Sequence, residues 1–265
     1  MYTDDRILNI AYSKLFDLTN PWNSAENFET ACKLGFDGIK GDVTPSADGR
    51  LIMCHDSYFY FDEEGRVLEP GNKGACKKFI KSMTSKKCRE LEYATKEARE
   101  SLGYYAKVAD LEDFMKICAK YNKIAYITVR DKQIKMCVDE VYRLIEKYNM
   151  KDKCIINSFS METLSAMRKK DSNICLSLVF GPNRCLTKAH INKAVCLGNC
   201  AVCVFWARDV LLGGDMLQKS KKAMAYAKEK GVKLYLAYAY DAETHKFGLD
   251  CGFDGFQCSA STAIK

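Results

Sequence analysis

Short apolar runs alternate with longer amphipathic stretches along most of this chain of 265 residues. The runs are rich in β-branched and aromatic residues, and such alternation is typical of βα units on a parallel sheet. Eight runs are too short for helices and mostly apolar on both faces, which predicts eight buried strands. The predicted strands are 7–12, 38–43, 124–129, 154–158, 174–179, 201–205, 233–239 and 255–257. Seven amphipathic stretches predict helices at 25–34, 111–121, 138–148, 161–170, 189–197, 216–230 and 242–249. This pattern favours a closed (β/α)₈ barrel, the TIM-barrel fold, over an open doubly wound sheet.

The chain length lies within the range in which an α/β barrel folds as one domain, so we expect a single domain over residues 1–265. One stretch, 57–108, departs from the alternation because it is polar, charged and glycine-containing. It lies between the second predicted strand and the next βα helix. Its length predicts a small inserted subdomain or a lid.

A Gly-Phe-Asp-Gly sequence occurs twice, at 35–38 and at 252–255. A glycine just past a helix can adopt the left-handed conformation, and the following Asp-Gly turns the chain into a strand. Both copies are therefore predicted to join a helix to the next strand at the bottom of the barrel, away from the functional end. The predicted caps Ser160 and Asp241 start two of the helices.

The net charge of +7 raises nucleic acid, anionic lipid and phosphorylated ligands as partners. The lysines are spread over the chain with only short clusters, such as Lys77-Lys78 and Lys86-Lys87, which is typical of a solvated face. We expect no nucleic-acid partner.

No stretch approaches the ~20 consecutive apolar residues that cross a bilayer, so we expect no integral membrane segment. The oligomeric state stays open.

Fourteen cysteines raise the question of disulfides, but no N-terminal segment resembles a secretory signal. We therefore expect reduced thiols and a cytoplasmic location. Cys200 and Cys203 form a Cys-x-x-Cys pair without a second pair or a histidine at zinc spacing. Because they lie in a predicted strand three positions apart, they should face opposite sides and pack in the core.

Working residues of such barrels lie at the carboxyl ends of the strands and in the loops that follow. Asp42 lies near the end of the second predicted strand, and a hairpin with an Asp-Gly turn brings His55 back to the same end. A carboxylate would then lie beside a group that transfers protons near neutral pH. The full candidate set is Tyr12, Lys40, Asp42, His55, Thr128, Arg130, Ser158, Trp206, Arg208, Tyr238 and Tyr240.

The segment from Asp37 to Asp56 resembles the glycerophosphodiester phosphodiesterase family, of the phospholipase C-like phosphodiesterase superfamily. The spacing from Asp42 to His55 and the Asp48-Gly49 turn agree with that family's pattern. Further similar stretches are Asn27-Phe28-Glu29-Thr30-Ala31, Leu111-Glu112-Asp113-Phe114, Ser158-Phe159 and Gly252-Phe253-Asp254-Gly255. The resemblance implies a TIM barrel of that type with a small insertion after its second strand. It also implies a divalent cation held by three carboxylates, a histidine pair as general acid and base, and cleavage of a diester to glycerol 3-phosphate and an alcohol.

The sequence departs from this family pattern at its central positions. The family's His-Arg-Gly is Tyr12-Ser13-Lys14, its Glu-x-Asp is Lys40-Gly41-Asp42, and its Glu-x-Lys is Thr128-Val129-Arg130. Asp42 is the one retained ligand position and alone makes a poor magnesium or calcium site. We therefore expect no metal and no other cofactor.

The charges of the substituted site suggest a metal-free alternative. Three carboxylates with a divalent cation sum to −1, whereas Lys40 with Asp42 sums to zero, and a basic partner remains at Arg130. We hypothesise that the Lys40 ammonium stands in the place of the metal, with Arg130 completing an anion cradle. His55 is one candidate proton-transfer group, and Tyr12, with an ordinary pKa near ~10, is a weak second one. Trp206 and Tyr238 are candidates to line a substrate groove.

Three functions remain open on the sequence. The first is a glycerophosphodiester phosphodiesterase-like barrel, in lipid and glycerophosphodiester metabolism, that binds a small phosphorylated ligand such as a glycerophosphodiester, with metal-dependent hydrolysis weak or lost. The second is an active metal-independent phosphodiesterase that uses Lys40, Arg130 and His55. The third is a non-catalytic interaction module.

Overall fold

A computed structural model describes residues 7–12, 19–130 and 134–259 of the chain. Eleven strands are present over these residues. They are β1 (Leu8–Tyr12), β2 (Gly38–Pro45), β3 (Leu51–Met53), β4 (Tyr58–Phe61), β5 (Cys76–Phe79), β6 (Ile124–Val129), β7 (Cys154–Ser158), β8 (Cys175–Val179), β9 (Cys200–Phe205), β10 (Leu234–Ala239) and β11 (Gly255–Cys258).

Eight of the strands form a closed parallel barrel in the order β1, β2, β6, β7, β8, β9, β10, β11, with β11 pairing back on β1. This confirms the predicted (β/α)₈ fold, and each predicted strand is found within one or two residues. β2 runs past its predicted end to Pro45, because β3 pairs with it antiparallel.

Within the described ranges, ten helices surround the barrel and the segment after β3. They are α1 (Ala25–Lys33), α2 (Ser85–Arg89), α3 (Lys96–Leu102), α4 (Leu111–Lys120), α5 (Ile134–Lys147), α6 (Met161–Lys170), α7 (Lys188–Leu197), α8 (Arg208–Leu212), α9 (Asp215–Glu229) and α10 (Ala242–Asp250). The predicted caps are present, since Ser160 accepts the Thr163 N–H and Asp241 accepts the Thr244 N–H. No helix over the described residues is long and apolar enough to cross a membrane.

The two Gly-Phe-Asp-Gly copies behave as predicted at the bottom of the barrel. Gly35 and Gly252 adopt left-handed φ angles of 86° and 83°. The aspartates then bond to neighbouring strands: Asp37 accepts the Asn9 N–H and Asp254 accepts the Leu234 N–H, each at 2.8 Å. Each copy thus ties a helix end to the start of a strand.

Two apolar cores hold the barrel together. One lies between the strands and the outer helices, and the other fills the barrel interior with Leu8, Ile10, Ile124, Ile155 and Tyr235 among its members. Cys200 belongs to the outer core and Cys203 to the interior, so the two thiols face opposite sides as predicted.

The stretch 57–108 contains the antiparallel hairpin of β4 and β5 together with α2 and α3. It has an apolar core of its own, made with two residues of the preceding strand and turn. The hairpin begins directly after His55, so this segment stands beside the carboxyl ends of the barrel strands.

Candidate functional site

A narrow cavity of about 40 Å³ lies at the carboxyl ends of the strands and opens into a wider mouth. Its lining brings together seven of the predicted candidates: Tyr12, Lys40, Asp42, His55, Thr128, Arg130 and Tyr238. Seven residues that the candidate set lacked complete the lining: Asn157, Phe159, Val179, Cys203, Phe205, Ala237 and Gln257.

Lys40 and Asp42 form a buried ion pair at the base of this cavity. They are two positions apart on β2 and so share its inward face. Lys40 Nζ lies 2.6 Å from Asp42 Oδ2, and the two side chains are only 9% and 2% exposed. Burial lowers the pKa of Lys40, while the Asp42 carboxylate acts in the opposite direction. The pairing compensates the cost of placing each charge away from water.

His55 is held from both sides of its ring. Its Nδ1 lies 2.9 Å from Asp56 Oδ1, and Arg130 Nη1 donates to its Nε2. Since a guanidinium can only donate, Nε2 is an acceptor, and the ring is neutral with its proton on Nδ1. Burial lowers the pKa of His55, and the positive charge of Arg130 lowers it further. The imidazole is therefore a base whose proton-accepting atom is already engaged.

A hydrogen-bond network crosses the barrel beneath the cavity. Tyr126 Oη contacts Asn157 Oδ1 at 2.9 Å and Ser177 Oγ at 2.8 Å, and Asn157 Nδ2 donates to Thr128 Oγ1 at 3.1 Å. Asn157 and Gln257 were missed in the sequence, although both are polar residues within apolar strands. A polar residue within an otherwise apolar strand is the sequence signal that identifies such positions.

The opposite wall of the cavity is aromatic. Tyr238 has a left-handed φ of 66°, unusual for a bulky residue, and it lies where the pairing of β10 with β11 shifts register. Its ring meets Tyr12, Tyr240 and Phe205 at centroid distances of 5.2, 4.7 and 4.2 Å. Burial raises the pKa of Tyr12 far above its ordinary value, so this hydroxyl keeps its proton at neutral pH.

Two candidates lie away from the cavity, and their assignment is corrected. Trp206 is 1% exposed, donates its Nε1–H to the Arg184 carbonyl and packs against Phe253. It follows the inward Phe205 and therefore faces the outer core, not the substrate groove proposed for it. Arg208 is engaged by Asp241 and Glu243.

The remaining candidates have smaller roles. Ser158 Oγ donates to the Val129 carbonyl, a bond between neighbouring strands. Tyr240 lies at the rim and is 38% exposed. Ser13 and Lys14, which stand at the second and third positions of the family's His-Arg-Gly, lie outside the described residues.

The donor set does not fit a divalent cation. Asp42 is the one carboxylate that lines the cavity, and its Oδ2 faces the Lys40 ammonium. Thr128, at the position of a family carboxylate, supplies only a hydroxyl, which accepts from Asn157. Across the described ranges, no three His, Cys, Asp or Glu side chains gather as a possible metal site. Magnesium and calcium prefer several oxygen ligands with negative charge, and this group offers one carboxylate beside an ammonium.

Comparison with known proteins agrees with this architecture. The family model described as the glycerophosphoryl diester phosphodiesterase family matches residues 17–257. A glycerophosphodiester phosphodiesterase of Caldanaerobacter subterraneus is 24% identical over 168 residues, which are 60% of this chain and 61% of that protein. The chain thus spans about three fifths of the length of this curated relative.

Solved structures of similar fold include two phosphodiesterases. A phosphodiesterase of Oleispira antarctica, in complex with the product sn-glycerol-3-phosphate, has a TM-score of 0.74 at 14% identity, covering 97% of this chain and 94% of that one. A glycerophosphodiester phosphodiesterase of Parabacteroides distasonis has a TM-score of 0.68 at 18% identity, covering 96% and 93%.

Proposed function

Since the chain belongs to the glycerophosphoryl diester phosphodiesterase family, we propose that its cavity binds a phosphate-bearing small molecule such as a glycerophosphodiester. We further propose that metal-dependent hydrolysis is weak or lost. The Lys40–Asp42 ion pair carries this proposal, because it places a fixed cation against the carboxylate that the family uses for a metal. The complex of the Oleispira relative with sn-glycerol-3-phosphate supports the ligand class.

The charge of the lining suits such a ligand. Lys40 and Arg130 are positive, Asp42 is negative and His55 is neutral, which leaves one positive charge to meet the single negative charge of a phosphodiester. An ammonium has three donors, and Asp42 takes one of them. Up to two remain for phosphate oxygens, and Arg130 adds a fork of donors at the mouth.

Weak hydrolysis is supported by the state of the two predicted proton-transfer groups, His55 and Tyr12. Cleavage needs a proton for the leaving alkoxide, which a positioned acid normally supplies. His55 is neutral, its Nδ1 proton points to Asp56 and its Nε2 accepts from Arg130. Tyr12 holds its proton too firmly because burial raises its pKa. Neither His55 nor Tyr12 is therefore poised to protonate the leaving alkoxide, and the Lys40 ammonium is held in its ion pair with Asp42.

A metal-independent phosphodiesterase is the second candidate, and the contact between Arg130 and His55 favours it. An anion that pairs with Arg130 would draw the guanidinium away from Nε2. The freed imidazole could then accept a proton from a nucleophile, as a general base. The third function, a non-catalytic interaction module, follows if the cavity binds no phosphate.

Calorimetric titration with inorganic phosphate and with sn-glycerol 3-phosphate tests the proposal. We expect Arg130→Gln to weaken both affinities roughly tenfold to hundredfold, as for loss of a charge-assisted hydrogen bond. Arg208→Gln is the matched control, since Arg208 lies at the same end of the barrel but is engaged by two carboxylates. Equal effects of the two substitutions, or no binding by the unmodified protein, would overturn ligand binding at Arg130.

Release of glycerol 3-phosphate from glycerophosphodiesters separates the catalytic candidates. We expect little turnover, unchanged by a chelator or by added magnesium or calcium. Turnover that survives the chelator and falls with His55→Gln would establish the metal-independent enzyme. Turnover that requires a divalent ion would show that our account of Lys40 is wrong.

We also propose a cytoplasmic location. Over the described residues no disulfide links the fourteen cysteines, and nine of them are buried, a state that a reducing compartment maintains. Cell fractionation of the tagged protein tests this, and recovery from an oxidising compartment would contradict it.

A further inference from the structure

The net charge of the protein is concentrated in one short segment. Residues 73–89 contain seven basic side chains and no acidic one. The rest of the chain has 34 basic and 34 acidic residues, so this segment accounts for the whole net charge of +7. Outside this segment the basic and acidic residues therefore balance in number, whereas within it the basic residues have no acidic counterpart. The seven are Lys73, Lys77, Lys78, Lys81, Lys86, Lys87 and Arg89.

The six lysines of this segment are exposed, and none forms an ion pair with a described carboxylate. Arg89 alone is paired, with Asp110 and Asp113. Several lysines on the outer helices are paired instead, as in the pairs of Lys170 with Asp139 and Lys246 with Asp250. Unpaired lysines at this density make a local positive field that is free to attract an anionic surface.

The hairpin of β4 and β5 combines this charge with aromatic rings on one face. Tyr58 lies opposite Phe79 and Tyr60 opposite Lys77 in the register. Lys77 Nζ is 3.6 Å from the Tyr58 ring centroid, and Lys81 Nζ is 5.8 Å from that of Phe79. We call these five residues the basic hairpin face.

The other face of the hairpin is turned inward, since Phe59 and Phe61 are buried in the core of the 57–108 segment. Phe79, on the basic hairpin face, is 46% exposed. A large apolar ring surrounded by unpaired lysines is the composition that lets a soluble protein rest on an anionic lipid interface.

The basic hairpin face also lies next to the cavity. Tyr58 follows His55 by three residues, and the Ile80 N–H donates to the Ser57 carbonyl, which closes the near end of the hairpin. Asp62, Glu63 and Glu64 lie in the turn directly after β4, at the far end of the hairpin, whereas Asp56, at the near end, is engaged by His55. The positive and aromatic end of the hairpin is therefore the end beside the mouth.

We infer that the basic hairpin face docks on an anionic lipid bilayer and turns the mouth of the cavity toward the lipid headgroups. Polybasic segments are attracted to anionic lipids within about a Debye length of the surface, and an exposed phenylalanine inserts into the headgroup region. Single-stranded nucleic acid fits less well, because stacking needs open ring faces and the Lys77 ammonium covers that of Tyr58. The inference does not depend on what the cavity binds.

Vesicle sedimentation tests the inference with the full chain. We expect the protein to sediment with vesicles of phosphatidylcholine mixed with phosphatidylserine and not with vesicles of phosphatidylcholine alone. The double variant Lys77→Gln/Lys81→Gln should lower the partition coefficient roughly 25-fold, since each lysine near the surface contributes about fivefold. Phe79→Ser should lower it by a smaller factor without changing the charge.

The matched control is Lys221→Gln/Lys222→Gln, which removes the same charge from two exposed lysines on α9. α9 follows β9, on the side of the barrel opposite β2, so this variant should bind the vesicles nearly as well as the unmodified protein. Equal losses of vesicle binding in the two double variants would show that only the net charge matters, and would overturn docking through the basic hairpin face. Binding to a single-stranded oligonucleotide without binding to anionic vesicles would overturn the inference that the partner is a lipid bilayer and would identify nucleic acid as the partner. Calorimetric titration with glycerol 3-phosphate should be unaffected by either double variant, which separates this inference from the function proposed for the cavity.

Discussion

The two walls of the cavity are built from different chemistry. The wall formed by β2, β6 and the turn after β3 carries the charged and titratable groups Lys40, Asp42, His55 and Arg130. The wall formed by β1, β9 and β10 carries the rings of Tyr12, Phe205 and Tyr238. A ligand that satisfies both has an anionic group and an uncharged part, as the phosphate and the glycerol of a glycerophosphodiester are. The difference also teaches that the Lys40 charge is held by its ion pair with Asp42, whereas the Tyr238 ring is placed by an irregular backbone.

Removing Asp42 should have the largest effect on the charged wall. Asp42→Ala leaves Lys40 buried without its partner, and we expect a loss of about 3–5 kcal/mol in the free energy of unfolding. Urea denaturation measures it. The double variant Lys40→Met/Asp42→Leu should lose far less, because neither charge remains buried. If the single variant is no less stable than the double, the pair does not have the burial described.

Trp206 sharpens which rings belong to the aromatic wall. It packs in the outer core, so Trp206→Phe should cost about 1–2 kcal/mol of stability, less than the ~3–5 kcal/mol of a full truncation. The affinity for glycerol 3-phosphate should not change. Thermal denaturation and calorimetry together check this. A changed affinity for glycerol 3-phosphate with unchanged thermal stability would show that Trp206 does line the substrate groove.

Tyr238 tests whether the walls act separately on a ligand. Tyr238→Ala should weaken binding of a glycerophosphodiester by roughly tenfold or less, since one ring contact is lost. Binding of inorganic phosphate should be unaffected. Tyr226→Ala, on the outer surface of α9, is the control. A parallel loss for both ligands would mean that the aromatic wall also shapes the anion site.

The smallest effect concerns the titration of His55. Its pKa is lowered from the ordinary 6.5, chiefly by burial. The unfolded chain therefore takes up the proton first, so the contribution of His55 to stability is complete above pH 6.5 and is lost as the pH falls through the folded pKa. Arg130→Gln should raise the pKa of His55 in the folded protein. The pH range over which the stability contribution of His55 is lost then becomes narrower. Nuclear magnetic resonance titration of the three histidines measures it, and an unchanged His55 pKa would show that Arg130 does not act on the ring.

Much of the charged wall could be predicted because strand alternation is regular there. Lys40 and Asp42 are two residues apart and both point inward, and the parallel order of the strands brings Arg130 to the same end. Regular alternation would also have placed Trp206 outward, after the inward Phe205. That error came from weighing residue type above position in the strand.

The aromatic wall was less predictable, for a physical reason. Tyr235 and Ala237 face the barrel interior, so strict alternation would turn Tyr238 outward. The left-handed φ of Tyr238 and the register shift beside it return the ring to the cavity. No glycine marks that irregularity in the sequence, and its cause is long-range packing. Contacts such as that of Arg130 with His55 likewise depend on side-chain conformations that spacing does not fix.

The ammonium that faces Asp42 belongs to the polypeptide itself. A bound ion exchanges with solution, so occupancy of a metal site follows the supply of that ion. A covalently attached cation is synthesised with the chain in a one-to-one ratio, and neither a chelator nor a competing ion removes it. At this pair of residues, the positive charge is encoded by the amino-acid sequence and does not vary with the supply of metal ions to the cell.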